Sequence, residues 1–371
     1  MNIPSVLNIL GNLLLVLGGA MLLPLGVALG LDDGHLPMEK YEVLAFFIAI
    51  AAAVTVGGGL RAVFDLQLDK VGNREGAATV TFTWVAFSLI GCLPYIITGA
   101  AGFTDAYYET ISGFTTTGAS IFSNMEELPR GLMFWRCQTQ WMGGMGIVVL
   151  SVAILPLLGM GGYRMFKAEV PGGATFQRDA PRIRDTAKVL WAFYIAISAM
   201  ETGLLRLAGM SWYDAICHTF TTMSTGGYST SSVSVAGWPT PGVQWVIIVF
   251  MFVAGANFGV YQQIILGHQL RAALKDPEFK LYALVTAVVT ALVFSIVHQA
   301  GSIEGGAEAE IRGAAFQVVS ISTTTGYGTE DFDRWPDVLR LVLVMLMFVG
   351  GCAGSTAGGM KLQRWMIFFK A

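Results

Sequence analysis

Charged residues are scarce in this sequence. Only 13% of its 371 residues are Asp, Glu, Lys or Arg, whereas 54% are hydrophobic, and the mean hydropathy is +0.62. Soluble domains carry about 25% charged residues, so this composition excludes a soluble globular protein and indicates an integral membrane protein. We therefore expect membrane lipid around the chain, and we expect no nucleic-acid partner.

Cysteine and histidine are also rare, with four of each. The cysteines are scattered and contain no CxxC pair, so the sequence does not support a disulfide framework or a metal site. We expect buried free thiols and no covalently bound cofactor. The N-terminus lacks a basic n-region, and its apolar run from about 3 to 31 exceeds the roughly 7–15 residues of a signal-peptide core. This run predicts a retained transmembrane helix.

Long apolar runs, in contrast, are abundant. A membrane-spanning helix needs about 20 apolar residues, and eight segments approach or exceed this length. They lie near 4–30, 41–63, 78–100, 130–160, 186–208, 241–267, 279–299 and 336–370. The first two predict a leading helix hairpin, 1–65. The other six form three pairs, which predict three repeats at 77–162, 183–273 and 277–371.

Basic residues concentrate on one side of these predicted spans. Of the 22 Lys and Arg residues, 15 fall on that side, and the opposite loops are acidic or neutral. Because cytoplasmic loops carry the excess of Lys and Arg, this side is predicted to be cytoplasmic, as is the N-terminus. The 15 residues are Arg61, Lys70, Arg74, Arg164, Lys167, Arg178, Arg182, Arg184, Lys188, Arg271, Lys275, Lys280, Lys361, Arg364 and Lys370.

A polar threonine-glycine stretch lies between the members of each pair. The three stretches are Phe114–Ser120, Met223–Ser229 and Ser322–Thr329, and their aligned glycines Gly118, Gly227 and Gly326 are 109 and 99 residues apart. Before each stretch is a short amphipathic segment, namely Thr104–Gly113, Ser211–Thr222 and Ala307–Ser320. These segments are too short to span a membrane, so we predict re-entrant half-helices, each followed by an extended loop. The expected fold is an all-α membrane protein with three helix–re-entrant loop–helix repeats.

The threonine-glycine stretches have the composition of a cation filter. They offer backbone carbonyls and hydroxyls, and glycine allows backbone angles that direct carbonyls toward a common axis. Rings of carbonyls can replace the hydration shell of potassium. The absence of a carboxylate from all three stretches favours a dehydrated monovalent cation over calcium, which is usually bound by carboxylates.

These stretches resemble the bacterial Trk/Ktr potassium-uptake family, in particular its TrkH-type pore subunits. The resemblance also includes Gly143–Ile147, Ala254–Phe258, Asp214–His218 and Gly350–Gly359. It implies a potassium transporter rather than an enzyme, located in the bacterial cytoplasmic membrane. It further implies a homodimer on a cytosolic nucleotide-binding regulatory subunit (TrkA-like). By position, the potassium-binding filter residues would be Thr116, Thr117, Gly118, Thr225, Gly226, Gly227, Thr324, Thr325 and Gly326.

The run Gly350–Gly359 lies within the last apolar segment and consists only of Gly, Ala, Ser, Thr and Cys. Glycine is a poor helix former, so we predict that the helix breaks there. The resemblance implies an intramembrane gate formed by Gly350, Gly351, Gly354, Ser355, Thr356, Gly358 and Gly359. A close helix-packing surface is the alternative. A serine hydrolase is disfavoured, because the run misses the G-x-S-x-G spacing by one position.

The sequence departs from the family pattern at its end. The family has four filter repeats, whereas three occur here before Ala371, and three quarters of a pore would leave polar backbone open to lipid. We therefore expect a truncated or fragmentary chain, with a fourth quarter supplied by another polypeptide as the alternative. Two alternative functions stay open, a non-conducting fragment or regulatory remnant and a sodium-permeable relative.

Five polar residues within apolar surroundings have simpler expected roles. His218 and His298 are expected to be satisfied by hydrogen bonds rather than to act as ligands. Arg136 and Glu201 lie near predicted segment ends, where their side chains could reach the interface. Asn257 is a polar group deep in a predicted span, where a hydrogen bond between helices explains it as well as a functional role does.

Overall fold

The computed structural model describes residues 1–30, 38–67, 72–149, 180–261 and 276–370. Within these residues the regular structure is helical, and the extended pairing is limited to a single bridge between Val349 and Met360. The chain divides into two compact units, of which the first contains the described residues up to 149 together with 180–184, and the second those from 185 onward. The all-α fold predicted from the sequence is confirmed.

The first unit consists of seven helices in its described residues. The first two are nearly continuous, and they pack with the third as the predicted leading hairpin. The helices are α1 (Ile3–Ala20), α2 (Leu22–Gly30), α3 (Glu39–Val63), α4 (Asn73–Gly91), α5 (Leu93–Ile97), α6 (Phe103–Phe114) and α7 (Arg130–Val149).

Close approach of α1 and α3 depends on two glycines. A Cβ on Gly11 would lie 2.7 Å from the carbonyl oxygen of Gly57, and a Cβ on Gly57 would lie 2.8 Å from that of Gly11. The two backbones therefore touch without side chains between them. This is the small-residue packing that membrane helices use in place of a hydrophobic driving force.

Polar side chains connect the hairpin to α7 at backbone groups that a helix leaves unpaired. Pro24 has no N–H and cannot bond the carbonyl four residues earlier, which belongs to Ala20. The side-chain amide of Gln138 donates to this carbonyl at 2.9 Å. Glu42 of α3 accepts from the N–H of Leu132 at 2.7 Å, in the first turn of α7, where N–H groups lack helical partners.

The second unit repeats a similar order of elements. A long helix is followed by a short one and then by a helix that ends early, and this order occurs twice. The helices are α8 (Ala180–Leu207), α9 (Trp212–Met223), α10 (Pro241–Gly255), α11 (Pro277–Ala300), α12 (Ala307–Ser322), α13 (Asp337–Met347) and α14 (Leu362–Lys370).

Five of the predicted spans are single helices or nearly continuous helix pairs with the length and composition needed to cross a membrane. In the described residues these are Ile3–Gly30, Lys40–Val63, Arg74–Ile97, Lys188–Leu207 and Pro277–Ala300. The other three predicted segments differ, because each follows a half-helix and contains polar or small residues. α7 is 20 residues long but carries Arg136, Gln138 and Gln140, α10 stops at Gly255, and residues 348–361 interrupt the last segment. The ends of the first two, 150–160 and 262–267, lie outside the described residues.

Candidate functional site

The three predicted half-helices are present, within two residues of their expected bounds. They are α6 (Phe103–Phe114), α9 (Trp212–Met223) and α12 (Ala307–Ser322), and each is followed directly by its threonine-glycine stretch. Each begins with an acidic residue in its first turn, such as Asp105, Asp214 and Glu308. A carboxylate at this position complements the positive end of the helix dipole.

The backbone of the three stretches is nearly identical. Thr116, Thr225 and Thr324 have left-handed φ values of 55°, 53° and 58°. Two positions later Gly118, Gly227 and Gly326 have φ values of 75°, 75° and 82°. The stretches thus repeat one conformation three times, as the sequence alignment of the glycines predicts.

Each stretch folds back on the end of its half-helix through the same hydrogen bonds. The N–H groups of Thr116 and Thr117 donate to the carbonyls of Gly113 and Ser112, both at 2.9 Å. The corresponding pairs in the other repeats are Thr225–Thr222, Gly226–Thr221, Thr324–Ile321 and Thr325–Ser320, at 2.9–3.0 Å. This is a Schellman-type helix end, which satisfies carbonyls that the helix leaves open.

The direction of the backbone carbonyls in the stretches follows from these bonds. In a trans peptide the C=O of one residue points opposite to the N–H of the next. Because the N–H of Thr117 points toward α6, the carbonyl of Thr116 points away from it. The same argument turns the carbonyls of Thr225 and Gly226 away from α9, and those of Thr324 and Thr325 away from α12. Each stretch therefore presents carbonyl oxygens on the side opposite its half-helix.

Threonine at the left-handed position is strained. A left-handed conformation costs a non-glycine residue about 1–3 kcal/mol, and glycine would avoid the cost. At Thr324 the side chain has a specific partner, because its hydroxyl accepts from the N–H of Gly358 at 2.6 Å. The third stretch is thereby joined to the glycine-rich run.

One polar residue per repeat, nine positions before the aligned glycine, occupies an equivalent position that the sequence analysis did not identify. Glu109, His218 and Gln317 occupy this position, and each side chain bonds either the last residue of its own stretch or the residue just after it. Glu109 accepts from the N–H of Ile121 at 2.9 Å, Nε2 of His218 bonds the Ser229 hydroxyl at 3.1 Å, and Gln317 donates to the Glu330 carbonyl at 3.2 Å. Alignment of the repeats on their glycines could have found this position, although three different residue types conceal it.

Arg136 of α7 forms a buried ion pair with Glu109. The Nε–Oε1 distance is 2.5 Å, and the side chains are 2% and 0% exposed. The expectation that Arg136 reaches the interface is therefore wrong, because its partner lies inside the unit. Glu201 is also completely buried, beside Thr222 of α9, so the same expectation is wrong for it.

The simpler roles of the two histidines are confirmed. His218 is enclosed, with Nδ1 on the Asp214 carbonyl at 2.9 Å and an edge-on Trp238 ring. His298 bonds Glu310 through Nδ1 at 2.8 Å. Asn257 differs from expectation, because its side-chain oxygen accepts from the N–H of Gly259 at 2.7 Å, within the break that follows α10.

Two glutamates near the third stretch have shifted pKa values, and Arg312 and burial are the causes. Arg312 and Trp245 hydrogen-bond Glu308 and lower the pKa of its carboxyl. Burial raises the pKa of Glu330, while Arg312 opposes this shift. In the part of the chain that the structure describes, no group of three or more His, Cys, Asp or Glu side chains could hold a metal ion.

The second and third stretches touch each other. A Cβ on Gly227 would collide with the carbonyl oxygen of Thr325. Tyr327, which is 2% exposed, donates from its hydroxyl to the carbonyl of His218 at 3.1 Å and also bonds the hydroxyl of Thr221. The position and conformation of the third stretch therefore depend on α9 and on the second stretch.

The glycine-rich run forms a loop that separates two helices, as its composition predicts. α13 ends at Met347 and α14 begins at Leu362. The N–H of Cys352 donates to the carbonyl of Gly255 at 2.9 Å, and the carbonyl of Gly354 accepts from the N–H of Phe258 at 3.1 Å. These bonds satisfy backbone groups on both sides of the break that follows α10.

Thr356 joins the glycine-rich run to two further helix ends. Its hydroxyl lies 3.1 Å from the carbonyl of Met223 in α9 and 3.2 Å from that of Ala254 in α10. Ser355 bonds within the loop, to the carbonyl of Cys352 at 2.6 Å. Gly350, Gly351, Ser355 and Thr356 are buried, Gly354 is half-buried, and Gly358 and Gly359 are exposed.

All four cysteines are free thiols and buried, as expected. The part of the predicted cytoplasmic side that is richest in Lys and Arg, residues 164–188, lies largely outside the described residues, which exclude 150–179 and the side chains of 180–187.

We predict that Gly227→Ala destabilises the purified protein more than Gly326→Ala. Both glycines have positive φ, so both variants carry a conformational cost of about 1–2 kcal/mol. A Cβ at Gly326 meets no described atom within 4 Å, whereas a Cβ at Gly227 collides with Thr325. This overpacking adds about 1–3 kcal/mol. Thermal unfolding in detergent measures the difference, and equal losses would contradict the contact between the stretches.

We also predict that Arg136→Met destabilises the protein by about 3–5 kcal/mol, since it leaves the buried Glu109 carboxylate without its cation. The double variant Arg136→Met with Glu109→Gln should recover part of this loss, because the uncompensated charge is gone. Thermal unfolding of the single and double variants measures the recovery. A double variant less stable than Arg136→Met would show that the charge balance is not the cause.

Comparison with known proteins agrees with this geometry. Residues 43–371 match the TrkH family model, described as cation transport protein. The potassium uptake protein TrkH of the Trk system in Salmonella typhimurium is 36% identical over 100% of this chain and 75% of its own length. Its counterpart TrkG in Escherichia coli is 32% identical over 90% of this chain and 68% of its own.

A solved structure gives the same assignment. The crystal structure of the potassium transporter TrkH from Vibrio parahaemolyticus superposes with a TM-score of 0.87 at 33% identity, covering 100% of this chain and 75% of that one. The match extends over the whole sequence, including the half-helices and the interrupted last segment. The chain therefore belongs to the TrkH family of cation transport proteins, which are multi-pass membrane transporters and not enzymes.

Proposed function

We propose that this protein takes up potassium across the bacterial cytoplasmic membrane, with its N-terminus in the cytoplasm. The threonine-glycine stretches would be the potassium-binding segments of its filter. The observation that carries this proposal is the direction of the carbonyls of Thr116, Thr225, Gly226, Thr324 and Thr325, away from the half-helices that fix them. The proposal is further supported by the relatives, which are named potassium uptake proteins.

A monovalent cation suits these ligands. Carbonyl and hydroxyl oxygens carry partial charges, so they can replace the water around potassium without trapping it. Divalent ions usually need carboxylates, and none lies in a stretch. The negative C-terminal end of each half-helix also favours a cation nearby. The filter residues would be the nine named from the resemblance, from Thr116 to Gly326.

The glycine-rich run is proposed as the gate. Its bonds to Thr324, Gly255 and Met223 support this role, because they place it against the third stretch and the end of α9. A movement of the run would therefore change the space beside the filter. Assembly as a homodimer with a cytosolic nucleotide-binding subunit is proposed from the family resemblance and from the basic residues on the predicted cytoplasmic side.

Potassium uptake is tested with the product of the natural gene, reconstituted in liposomes. We expect uptake of radioactive rubidium that potassium inhibits and an equal concentration of sodium does not. Gly118→Ser should weaken this preference, because the φ of 75° at Gly118 is unfavourable for a residue with a Cβ. The matched control is Gly59→Ser, in α3, where a Cβ meets no described atom within 4 Å.

Three outcomes separate the alternatives. Folded protein with no rubidium uptake would favour a non-conducting remnant over a transporter. Equal inhibition by sodium and potassium would favour a sodium-permeable relative. Unchanged selectivity of Gly118→Ser would remove Gly118 from the filter.

The gate is tested by deletion of residues 354–358. If the run obstructs the ion path, the deletion should raise rubidium flux several-fold and reduce its dependence on the cytosolic subunit. A packing surface behaves oppositely, since the deletion would misalign Met360 onward and lower flux. Flux is compared at matched folded protein, judged by size-exclusion chromatography. Lower flux from a folded variant would reject the gate.

A further inference from the structure

Glu278 is an acidic residue buried against the glycine-rich run. It is the second residue of α11 and is 5% exposed. Its Oε1 accepts a hydrogen bond from the backbone N–H of Ala353 at 2.7 Å. The backbone of Gln363, in the first turn of α14, also interacts with this carboxylate. One side chain thus contacts both the run and the helix that follows it.

This bond differs from most other contacts of the run. Its bonds to Gly255, Phe258, Met223 and Thr324 join neutral groups, whereas the carboxylate of Glu278 is ionisable. A hydrogen bond to an ionised acceptor is about twice as strong as a neutral one. Ala353 lies near the middle of the interruption between α13 and α14, so this contact is made where the backbone is farthest from either helix.

Capping of α11 does not account for Glu278. Asp276 already caps this helix, since its Oδ1 accepts from the N–H of Phe279 at 2.8 Å. The helix dipole favours an acidic residue in the first turn, but it requires neither burial nor contact with another segment. Neither capping nor the helix dipole therefore explains why the Glu278 carboxylate binds the N–H of Ala353.

A cation lies on the other half of the run. The ammonium group of Lys361 donates to the carbonyl of Ala357, and Lys361 interacts electrostatically with Glu278. The two charges bind opposite backbone groups, an N–H and a C=O, four residues apart. Both are on the predicted cytoplasmic side, at the start of α11 and of α14.

We propose that Glu278 is a positioning residue that clamps the glycine-rich run in the conformation of this structure. Its carboxylate holds Ala353, so a displacement of the start of α11 would be transmitted to the run. This inference rests on the proposed function of the run as a gate for its effect on transport, but not for its effect on the run's conformation.

Cys352 provides a direct measure of that conformation. It is next to Ala353, completely buried, and a free thiol. Release of the run should expose it to a maleimide, and mass spectrometry can follow each cysteine separately. We expect Glu278→Ala to raise the labelling rate of Cys352 about tenfold or more, the factor that the loss of a charged hydrogen bond to a buried group gives.

Two conservative variants separate clamping from helix stabilisation. Glu278→Asp keeps the charge in the first turn of α11 but withdraws the carboxylate by one methylene, so Cys352 labelling should rise. Glu278→Gln keeps an oxygen in place and should label more slowly than Glu278→Asp. The opposite order would overturn the proposal. Stabilisation through the helix dipole requires the negative charge that Glu278→Asp keeps, and not the side-chain length that Glu278→Gln keeps. Both variants remain informative if Glu278→Ala does not fold.

Glu75→Ala is the matched control. The Glu75 carboxylate also accepts backbone N–H groups, from Asn2 at 2.8 Å and Gly72 at 2.9 Å, but in the first unit. Its loss should leave Cys352 labelling unchanged. Cys137 reports general unfolding, as it is buried in α7. An equal rise at Cys137 in the Glu278 variants, or no rise at Cys352, would overturn the clamp.

Rubidium flux distinguishes failure of the clamp from failure of the gate. If both are correct, Glu278→Asp raises Cys352 labelling and also raises flux without the cytosolic subunit. Raised labelling with unchanged flux supports the clamp and rejects the gate. Unchanged labelling rejects the clamp whatever the flux does.

Discussion

Every backbone N–H and C=O inside a membrane must find a partner in the protein, because lipid offers none. A half-helix that ends within the membrane therefore needs a segment that satisfies its last carbonyls. The threonine-glycine stretches meet this need, since their N–H groups turn back onto the ends of α6, α9 and α12. The same turn directs the carbonyls of the stretches away from the half-helices. Satisfaction of the helix ends and exposure of carbonyl oxygens on the opposite side are thus achieved by one backbone conformation.

The constraint also explains which parts of the repeats are alike and which differ. Backbone bonds and left-handed φ values are shared by all three repeats, because the helix end imposes them. The side chain that supports the outer end of each stretch only needs to bond across a short distance. An acid, an imidazole and an amide do so at Glu109, His218 and Gln317. The three repeats therefore share a backbone conformation but differ in the side chain that supports it.

Local composition predicted the elements whose cause is local. The half-helices follow from their length, the left-handed glycines from their spacing, and the helix break from the density of glycine in Gly350–Gly359. Contacts between distant segments could not be predicted in this way. Arg136 looked like an interfacial residue because its partner Glu109, 27 positions away, lies on another helix.

Asn257 shows the same limit at shorter range. A polar residue in an apolar run indicates either a contact between helices or a local break, and the period of the run does not distinguish them. The structure has the break, which Asn257 closes on Gly259. The freed carbonyl of Gly255 is then bonded by Cys352, nearly a hundred residues later. Pairing of this kind depends on tertiary structure and leaves no local pattern.

The glycines of the glycine-rich run allow close packing of the backbone rather than flexibility. A Cβ on Gly351 would lie 2.6 Å from the carbonyl oxygen of Gly255, and one on Gly350 would collide with that of Gly358. Gly354 and Gly359 have φ values of 71° and 70°, which favour glycine. Such a run has one compact conformation held by specific bonds, so its movement requires those bonds to break together. If the run is the gate proposed above, it would switch between discrete states, because its packed contacts do not deform gradually.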